Sequence, residues 1–367
     1  MGPLNGIKIV EFAGIGPGPF CGMALADLGA EVITINRNNE KGIYNKFDIH
    51  NRSKYSLTAD LKNISSRDEI LKLISQVDGL IEGYRPGVME SLGLGPDDCF
   101  NVNSKLVYGR MTGWGQDGPM SKNAGHDINY ISLTGALGAM GRNDSPPSPP
   151  LNLIGDYGGG GMHLALGMTA AFIHQIKTGE GQIVDSAMID GTSMLMSFFY
   201  SFNQMGYWED ARGSNLLDGA AHFYDTYECA DGKFLAIGSI EPKFYSIFLE
   251  KLGIKDSEFL DQMDKTKWPD LKIKVAKIIL TKDRDDWASI FKNTDGCVTP
   301  VLSLSEAPLN EHNVARSTFT SLDGVTQPKP SPRFSKSKLD IRHNSREKGV
   351  DTSSLIEKFN LDPKAFS

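Results

Sequence analysis

The sequence has few cysteines and no excess of positive charge. Four cysteines occur among 367 residues; none form a Cys-x-x-Cys pair, and their spacing fits no zinc site. We therefore expect buried free thiols and no metal. The formal net charge of -7 argues against nucleic acid as a partner, because nucleic-acid-binding proteins usually carry a basic surface.

Targeting signals and long apolar runs are also missing. No signal peptide precedes the first apolar stretch, MGPLNG lacks the Ser or Thr of a myristoylation signal, and KAFS is not a peroxisomal SKL-type ending. The longest weakly polar stretch, residues 158–176, contains two histidines and begins with four glycines. It predicts a buried helix and not a membrane span. We expect an intracellular protein without membrane insertion.

Three common catalytic or cofactor motifs are absent. There is no G-x-S-x-G elbow for a nucleophilic serine and no H-E-x-x-H metal motif. Gly14, Gly16 and Gly18 invite a dinucleotide-binding interpretation, but their spacing is G-x-G-x-G with prolines between them. The G-x-G-x-x-G fingerprint is therefore broken, and we expect no nicotinamide cofactor.

The length of the chain predicts two domains. A buried strand at 6–13, a helix at 21–30 and a strand at 31–36 form a βαβ unit, which begins an α/β domain with a parallel sheet. The pattern changes near residue 222, where two β-type runs meet at Asp231-Gly232 in a predicted hairpin. A smaller α+β domain is expected from there.

Positive side chains near the ends of predicted elements suggest a phosphate-rich ligand. Arg37 follows the second strand, where a dinucleotide-binding protein would have an acidic residue. An Arg at that place suits a phosphate on an adenosine ribose, as in NADP or coenzyme A (CoA), although a plain surface Arg is the alternative. Arg52, Lys54, Lys62 and Arg85 are further candidates, although the residues alone favour a solvated charged face for these four.

Two polar segments could carry chemistry. AGHDINY (124–130) places His126 beside Asp127 in a loop after a strand. LNLIGDYGGGGM (151–162) places Asp156 directly before four glycines and an apolar helix, so Asp156 could simply cap that helix. The glycines also suggest a close approach of the backbone to a ligand.

These segments together resemble the α-methylacyl-CoA racemases of the family III CoA-transferase (CaiB/BaiF) superfamily. Further similar segments, in order, are EFAGIGPGPFCGMALADLGAEV, NRSKYSLTADLK, RPGVMESLGLGP, GQIVDSAMIDGT, DGAAHFYDTYECADGKFLAIGSIEPKFY and TDGCVTPVL. They cover about residues 4–304, and AGHDINY and GSIEPKFY are the most specific. The resemblance implies a Rossmann-like large domain at 1–188, linker helices at 189–224, a small α+β domain at 225–316, and a linker and return to the large domain at 317–367.

The resemblance also implies residue roles. His126 and Asp156 match the two acid/base residues, and Glu241 matches a carboxylate of the small domain that steadies the histidine. CoA-contacting positions are implied at Arg37, Ala59, Asp60, Leu61, Lys62, Tyr84, Arg85, Gly125, Asp127, Ile128, Asn129 and Tyr130. Ser91 is a departure, since Arg or Lys is frequent there in the family.

The implied activity is epimerisation of (R)- and (S)-2-methylacyl-CoA thioesters by 1,1-proton transfer through an enolate, in branched-chain fatty acid or bile-acid-type lipid metabolism. No cofactor is expected beyond the CoA of the substrate. The implied assembly is an interlocked homodimer with an active site shared between chains, in the peroxisome or mitochondrion. The alternatives are a CoA-transferase that uses Asp156 as a nucleophile, and a non-enzymatic NADP- or CoA-binding sensor.

Overall fold

The computed structural model describes residues 1–37 and 45–366. Its β-strands are β1 Lys8–Phe12, β2 Glu31–Arg37, β3 Tyr55–Ala59, β4 Gly79–Glu82, β5 Val107–Thr112, β6 Gln182–Ala187, β7 Tyr224–Glu228, β8 Phe234–Gly238, β9 Val298–Pro300, β10 Phe319–Leu322 and β11 Val325–Pro328. Its α-helices are α1 Pro17–Asp27, α2 Ile64–Ile74, α3 Val88–Ser91, α4 Pro96–Val102, α5 Asp127–Ser132, α6 His163–Thr178, α7 Met188–Leu195, α8 Ser197–Gln204, α9 Pro242–Leu252, α10 Trp268–Ile279, α11 Arg284–Phe291, α12 Glu311–Ala315 and α13 Thr352–Phe359. A π-helical segment, Leu153–Met162, leads directly into α6.

The chain divides into two compact units. The first comprises residues 1–134, 151–196 and 312–367, and the second comprises 135–150 and 197–311. The division differs from the ranges predicted from the sequence in three respects. Residues 135–150 group with the smaller unit, the predicted linker helices at 189–224 are divided between the units after residue 196, and residues 312–316 group with the first unit. The predicted α/β class with a parallel sheet is confirmed.

The first unit is built on a six-stranded sheet with the order β3-β2-β1-β4-β5-β6, in which every adjacent pair is parallel. Neighbouring residues on a strand point to opposite faces, so both faces carry apolar side chains. Val10 and Ile33 pack with α2, α4 and α13 on one face, while Ile9 and Val32 pack with α1 and α6 on the other. Because helices cover both faces of the sheet, the sequences of these strands contain apolar runs.

Buried ion pairs tie the edge of the sheet to α1. Lys54 Nζ lies 2.7 Å from Glu11 Oε2 and donates to the Pro19 carbonyl at 2.9 Å. Arg52 pairs with Asp27 at 2.5 Å. All four charged side chains are buried. Neither interpretation of Arg52 and Lys54, a solvated charged face or a phosphate-binding role, fits the structure, since both cations are buried and neutralise buried carboxylates.

The glycine run has a packing role. A Cβ at Gly159 would lie 2.6 Å from the Thr192 backbone nitrogen in α7, and one at Gly161 would lie 2.7 Å from the Pro17 carbonyl of α1. The glycines therefore let the π-helical segment approach two helices closely. Helical structure begins at Leu153, so Asp156 lies inside the first turn and not at the N-cap, and the alternative in which Asp156 only caps the helix does not apply.

The helix predicted at 158–176 is only half buried within the chain. α6 buries Leu164, Met168 and Phe172 against the sheet, but Ile173 is 51% exposed and Ile176 is 72% exposed. The prediction of a fully buried helix is therefore wrong for the outer face. Among residues 1–37 and 45–366, no helix is long and apolar enough to cross a membrane.

The second unit packs helices on a small antiparallel sheet. β7 and β8 form the hairpin predicted at Asp231-Gly232, and β9 pairs with β8. α9, α10 and α11 cover the sheet through a core that includes Phe248, Trp268 and Trp287. Of the four free cysteines, Cys297 in this unit is exposed, contrary to the prediction that all are buried.

Candidate active site

The site lies where the strand order of the parallel sheet reverses. β1 and β4 are neighbours in the sheet but their connections leave in opposite directions, and a crevice forms outside their carboxyl ends. A cavity of about 550 Å³ opens there in the first unit. The loops that follow β1, β4 and β5 line it at 12–19, 83–86 and 111–114, with 124–126, Tyr130, Asn152, Asp156 and Tyr157. His126 and Asp156 thus face one cavity, as the sequence predicted.

His126 is the residue before the first turn of α5, and its side chain is exposed. The local fold holds its backbone, because the His126 N–H donates to Asn129 Oδ1 at 3.1 Å. Tyr130 holds the preceding turn by donating its hydroxyl to the Gly125 carbonyl, and its ring contacts Trp114 edge-on at 4.7 Å between centroids. Burial raises the pKa of Tyr130, and the negative charge of Asp156 raises it further by a smaller amount.

Asp156 lies in the first turn of the π-helical segment and is half-buried. Its Oδ2 accepts a hydrogen bond from Asn152 Nδ2 at 3.0 Å. A Cβ at Gly16 would lie 3.1 Å from the same oxygen, and Gly16 has a φ of 72°. Any side chain at position 16 would therefore be strained and would crowd the Asp156 carboxylate.

One buried carboxylate joins the two loops that carry His126 and Asp156. Asp127 Oδ2 accepts from the Asp156 N–H at 2.7 Å, and the Gly155 N–H also points to this carboxylate. A Cβ at Gly155 would lie 2.5 Å from Asp127 Oδ2, so only glycine permits this approach. Burial, partly offset by the Asp156 N–H, raises the pKa of Asp127. Asp127 therefore fixes the two loops relative to each other.

The predicted CoA-contacting residues lie at the carboxyl ends of neighbouring strands. Arg37 ends β2 with its guanidinium 5.9 Å from the centre of the Tyr84 ring, which follows β4. Ala59 ends β3, opposite Arg37 in the strand register. Arg85 is exposed and lines the cavity. Parallel strands thus bring together residues that are far apart in the sequence.

The remaining predicted contacts differ in what they can offer a ligand. Ala59 and Leu61 are buried, while Asp60 and Lys62 are exposed, and the Lys62 N–H donates to Asp60 Oδ1 at 3.0 Å. Ile128 is exposed on α5. Ser91 donates its hydroxyl to the Val88 carbonyl at 2.7 Å. A CoA-binding role of Ala59, Asp60, Leu61, Lys62 and Ile128 stays a prediction, as does the loss of a phosphate contact at Ser91.

Glu241 belongs to the second unit, at the start of α9. Its carbonyl accepts from the Tyr245 N–H at 2.9 Å, while its side chain is exposed. No hydrogen bond or ion pair joins its carboxylate to another described residue of that unit.

Asn152 is a site residue that the sequence argument missed. Its amide lies one turn before Asp156, but the sequence predicts that the helix begins only after Asp156, so helical spacing does not connect the two residues. The N-x-x-x-D pattern would have indicated the contact had the helix been predicted to begin at 153.

Comparison with known proteins places this arrangement in a family. The profile of CoA-transferase family III matches residues 4–352. This chain belongs to CoA-transferase family III. The chain is 45% identical to mouse α-methylacyl-CoA racemase over 334 residues, covering 91% of this chain and 87% of the mouse protein. It is 42% identical to human α-methylacyl-CoA racemase over 332 residues, covering 90% and 86% of the two chains.

A solved structure supports the same fold. The crystal structure of a CaiB/BaiF family protein from Brucella suis matches with a TM-score of 0.85 and 24% identity, covering 98% of this chain and 99% of that one. The assignment to this superfamily, predicted from the sequence, is confirmed by the family profile and by the identity to the two racemases.

The geometry of Asp127 generates a prediction. Asp127→Ala removes the acceptor of the Asp156 and Gly155 N–H groups, so the Asp156 loop should shift and kcat should fall by about 100-fold. Asp127→Asn retains an oxygen acceptor and should lose less than about 10-fold. Steady-state kinetics on a 2-methylacyl-CoA checks both values.

Asp98 offers a matched control, because its carboxylate accepts from the Gly95 N–H at 3.1 Å in the same unit. Asp98→Ala should reduce stability without changing kcat. The prediction is wrong if Asp127→Ala retains full kcat, or if Asp127→Asn is as impaired as Asp127→Ala.

Proposed function

We propose that this chain is an α-methylacyl-CoA racemase that interconverts (R)- and (S)-2-methylacyl-CoA without a cofactor. The observation that carries the proposal is the placement of His126, at the start of α5, and Asp156, in the π-helical segment, on one cavity at the reversal point of the sheet. Identity of more than 40% to two mammalian racemases over about nine-tenths of the chain supports it. The resulting role is in branched-chain fatty acid or bile-acid-type lipid metabolism.

The chemistry needs a base and an acid on opposite faces of the α-carbon. One residue removes the α-proton, the C–H electron pair enters the bond to the carbonyl carbon, and negative charge collects on the thioester oxygen. The other residue then delivers a proton to the opposite face. In the reverse direction the two exchange roles. We assign His126 to the S epimer and Asp156 to the R epimer, by resemblance to the racemases.

The enolate oxygen requires a hydrogen-bond donor. The His126 N–H donates to Asn129, and the Asp156 N–H donates to Asp127. The Asp127 N–H is in the first turn of α5, where no intrahelical acceptor exists, and it has no acceptor within residues 1–37 and 45–366. We assign it to the enolate oxygen.

Glu241 completes the proposed catalytic set. Its role is to orient the imidazole of His126 and to stabilise the protonated form. An exposed carboxylate without a partner in its own unit supports this role, since it is available for another group. The alternative function is a CoA-transferase, in which the Asp156 carboxylate attacks the thioester carbon, the C–S bond breaks, and CoA leaves as the thiolate to give an anhydride. That reaction requires neither His126 nor Glu241.

Deuterium exchange distinguishes the two functions. In deuterated water with a chelator and no nicotinamide, the enzyme should exchange the α-hydrogen of either epimer and should not move CoA to added succinate. His126→Ala should abolish exchange from the S epimer and retain slow exchange from the R epimer, and Asp156→Ala should show the reverse. Each should lose about 10²–10⁴-fold in epimerisation.

Several outcomes would contradict this scheme. CoA transfer without exchange would establish the transferase, and activity restored by metal after chelation would refute the cofactor-free mechanism. One variant that loses exchange from both epimers, with the other at full turnover, would point to a single base.

Arg37 generates a prediction about binding. A charge-assisted contact with the 3′-phosphate of CoA contributes about 1.5–3 kcal/mol, equally in the ground and transition states. Arg37→Ala should therefore raise KM by about 10-fold or more with little change in kcat. A loss of the same size with dephospho-CoA substrates would rule out the 3′-phosphate as the partner of Arg37.

We also propose that the chain acts as a homodimer with a shared active site. The outer face of α6 exposes Leu166, Ile173 and Ile176, which lie on one side of the helix, and monomers rarely expose such apolar stripes. A second copy, implied by the family resemblance, is the proposed cover. The organelle, peroxisome or mitochondrion, remains a prediction from the resemblance.

Light scattering tests the dimer. Ile173→Lys should convert the dimer to a less active monomer, because a charge would be buried in the interface. Ile64→Lys is the matched control, since Ile64 is exposed at the start of α2, away from this stripe. A wild-type monomer with full activity would refute the proposal.

A further inference from the structure

The residues that precede Glu241 are held by one buried amide. Gln262 Nε2 donates to the Ser239 carbonyl at 3.0 Å and to the Ile240 carbonyl at 2.8 Å. A side-chain amide nitrogen has two protons, and both are used here. Gln262 is only 7% exposed, so no solvent molecule can readily replace this contact.

Other buried bonds complete this support. Trp268 Nε1 donates to the Gln262 carbonyl at 2.8 Å, which fixes Gln262 itself. The Ser239 hydroxyl donates to the Gly296 carbonyl at 2.7 Å, and the Ser239 N–H donates to the Phe223 carbonyl at 2.9 Å. The segment from β8 to α9 is therefore fixed on both sides before the chain reaches Glu241.

Glu241 combines a fixed backbone with an unengaged side chain. Its carbonyl is bonded to the Tyr245 N–H, whereas its carboxylate is exposed and has no hydrogen-bond or ion-pair partner among the described residues of this unit. Gln262 uses both amide protons on the carbonyls of Ser239 and Ile240, which directly precede the exposed Glu241. A purely structural role would not require this placement. Fixing the backbone leaves only the side-chain torsions of Glu241 to be ordered when it acts.

We propose that Gln262 is a positioning residue of the epimerisation: it fixes the backbone from which Glu241 acts on His126. The inference rests on the proposed function, because Gln262 acts through Glu241. Trp268 contributes indirectly, because its Nε1–H donates to the Gln262 carbonyl and so holds Gln262 in place.

Gln262→Leu tests the proposal, because leucine removes both donors at similar size. We expect kcat to fall by about 10-fold with KM nearly unchanged. The acidic limb of the pH–rate profile should shift to lower pH, as it should in Glu241→Gln, because the imidazolium loses stabilisation. Normal kcat and an unshifted profile in Gln262→Leu would overturn the inference.

The double variant separates positioning from general damage. If Gln262 acts through Glu241, then Gln262→Leu should cause no further loss of kcat in the Glu241→Gln background. A second loss of full size would show that Gln262 acts by another route, which would overturn the inference.

Two tryptophans supply a matched pair should Gln262→Leu fold poorly. Trp287 Nε1 donates to the Ile279 carbonyl at 2.7 Å in the same unit and is buried like Trp268. Trp268→Phe and Trp287→Phe each lose one buried bond of the same kind. Only Trp268→Phe should lower kcat and shift the pH–rate profile; equal profiles in the two variants would overturn the inference.

Glu241→Gln distinguishes a failure of the proposed role of Glu241 from a failure of the inference about Gln262. Normal kcat and an unshifted profile in Glu241→Gln would refute the role of Glu241 in the proposed function and would overturn this inference with it. An impaired Glu241→Gln beside an unimpaired Gln262→Leu would overturn this inference alone.

Discussion

The geometry of the candidate site depends on the carboxylate of Asp127. It receives the N–H of Asp156 at 2.7 Å while its own backbone follows His126, so a single side chain spans the two loops that carry the acid/base residues. A charged acceptor on backbone donors is a strong hydrogen bond, and burial strengthens it further. The close approach requires glycine at 155, because a Cβ there would collide with the Asp127 carboxylate.

A second buried carboxylate, Glu11, lies at the base of the site and is also approached closely by a glycine. Glu11 and Lys54 are both buried, and the Lys54 ammonium also holds the Pro19 carbonyl at the start of α1. A Cβ at Gly22 would lie 1.7 Å from Glu11 Oε2, so glycine is required for the pair to fit. Buried charge thus fixes the Gly/Pro loop that forms one wall of the cavity. Removing one partner of such a pair is far more harmful than removing both.

The sequence predicts the sheet well and the polar interior poorly. Apolar runs such as GIKIVEFA identify buried parallel strands, because both faces of the sheet are covered. A crevice at the carboxyl ends of these strands follows from that topology, and His126 and Asp156 reach it from the start of α5 and from the π-helical segment. Arg52 and Lys54 illustrate the failure, since nothing local shows that their partners are Asp27 and Glu11, on other elements. Gln262 is equally hidden, because its acceptors lie 22 and 23 residues earlier.

The first unit is built from three separate stretches of the chain, and this has a consequence for its folding during translation. α13 supplies Leu355 and Phe359 to the core over β3, and Asp351 accepts from the Ser56 N–H at 3.0 Å. A ribosome makes these residues only after it has made the whole of 197–311. During translation the second unit can therefore complete its core first. Until α13 is made, the apolar surface of β3 and its neighbours stays uncovered. The nascent first unit is therefore the part of the chain most in need of chaperone protection.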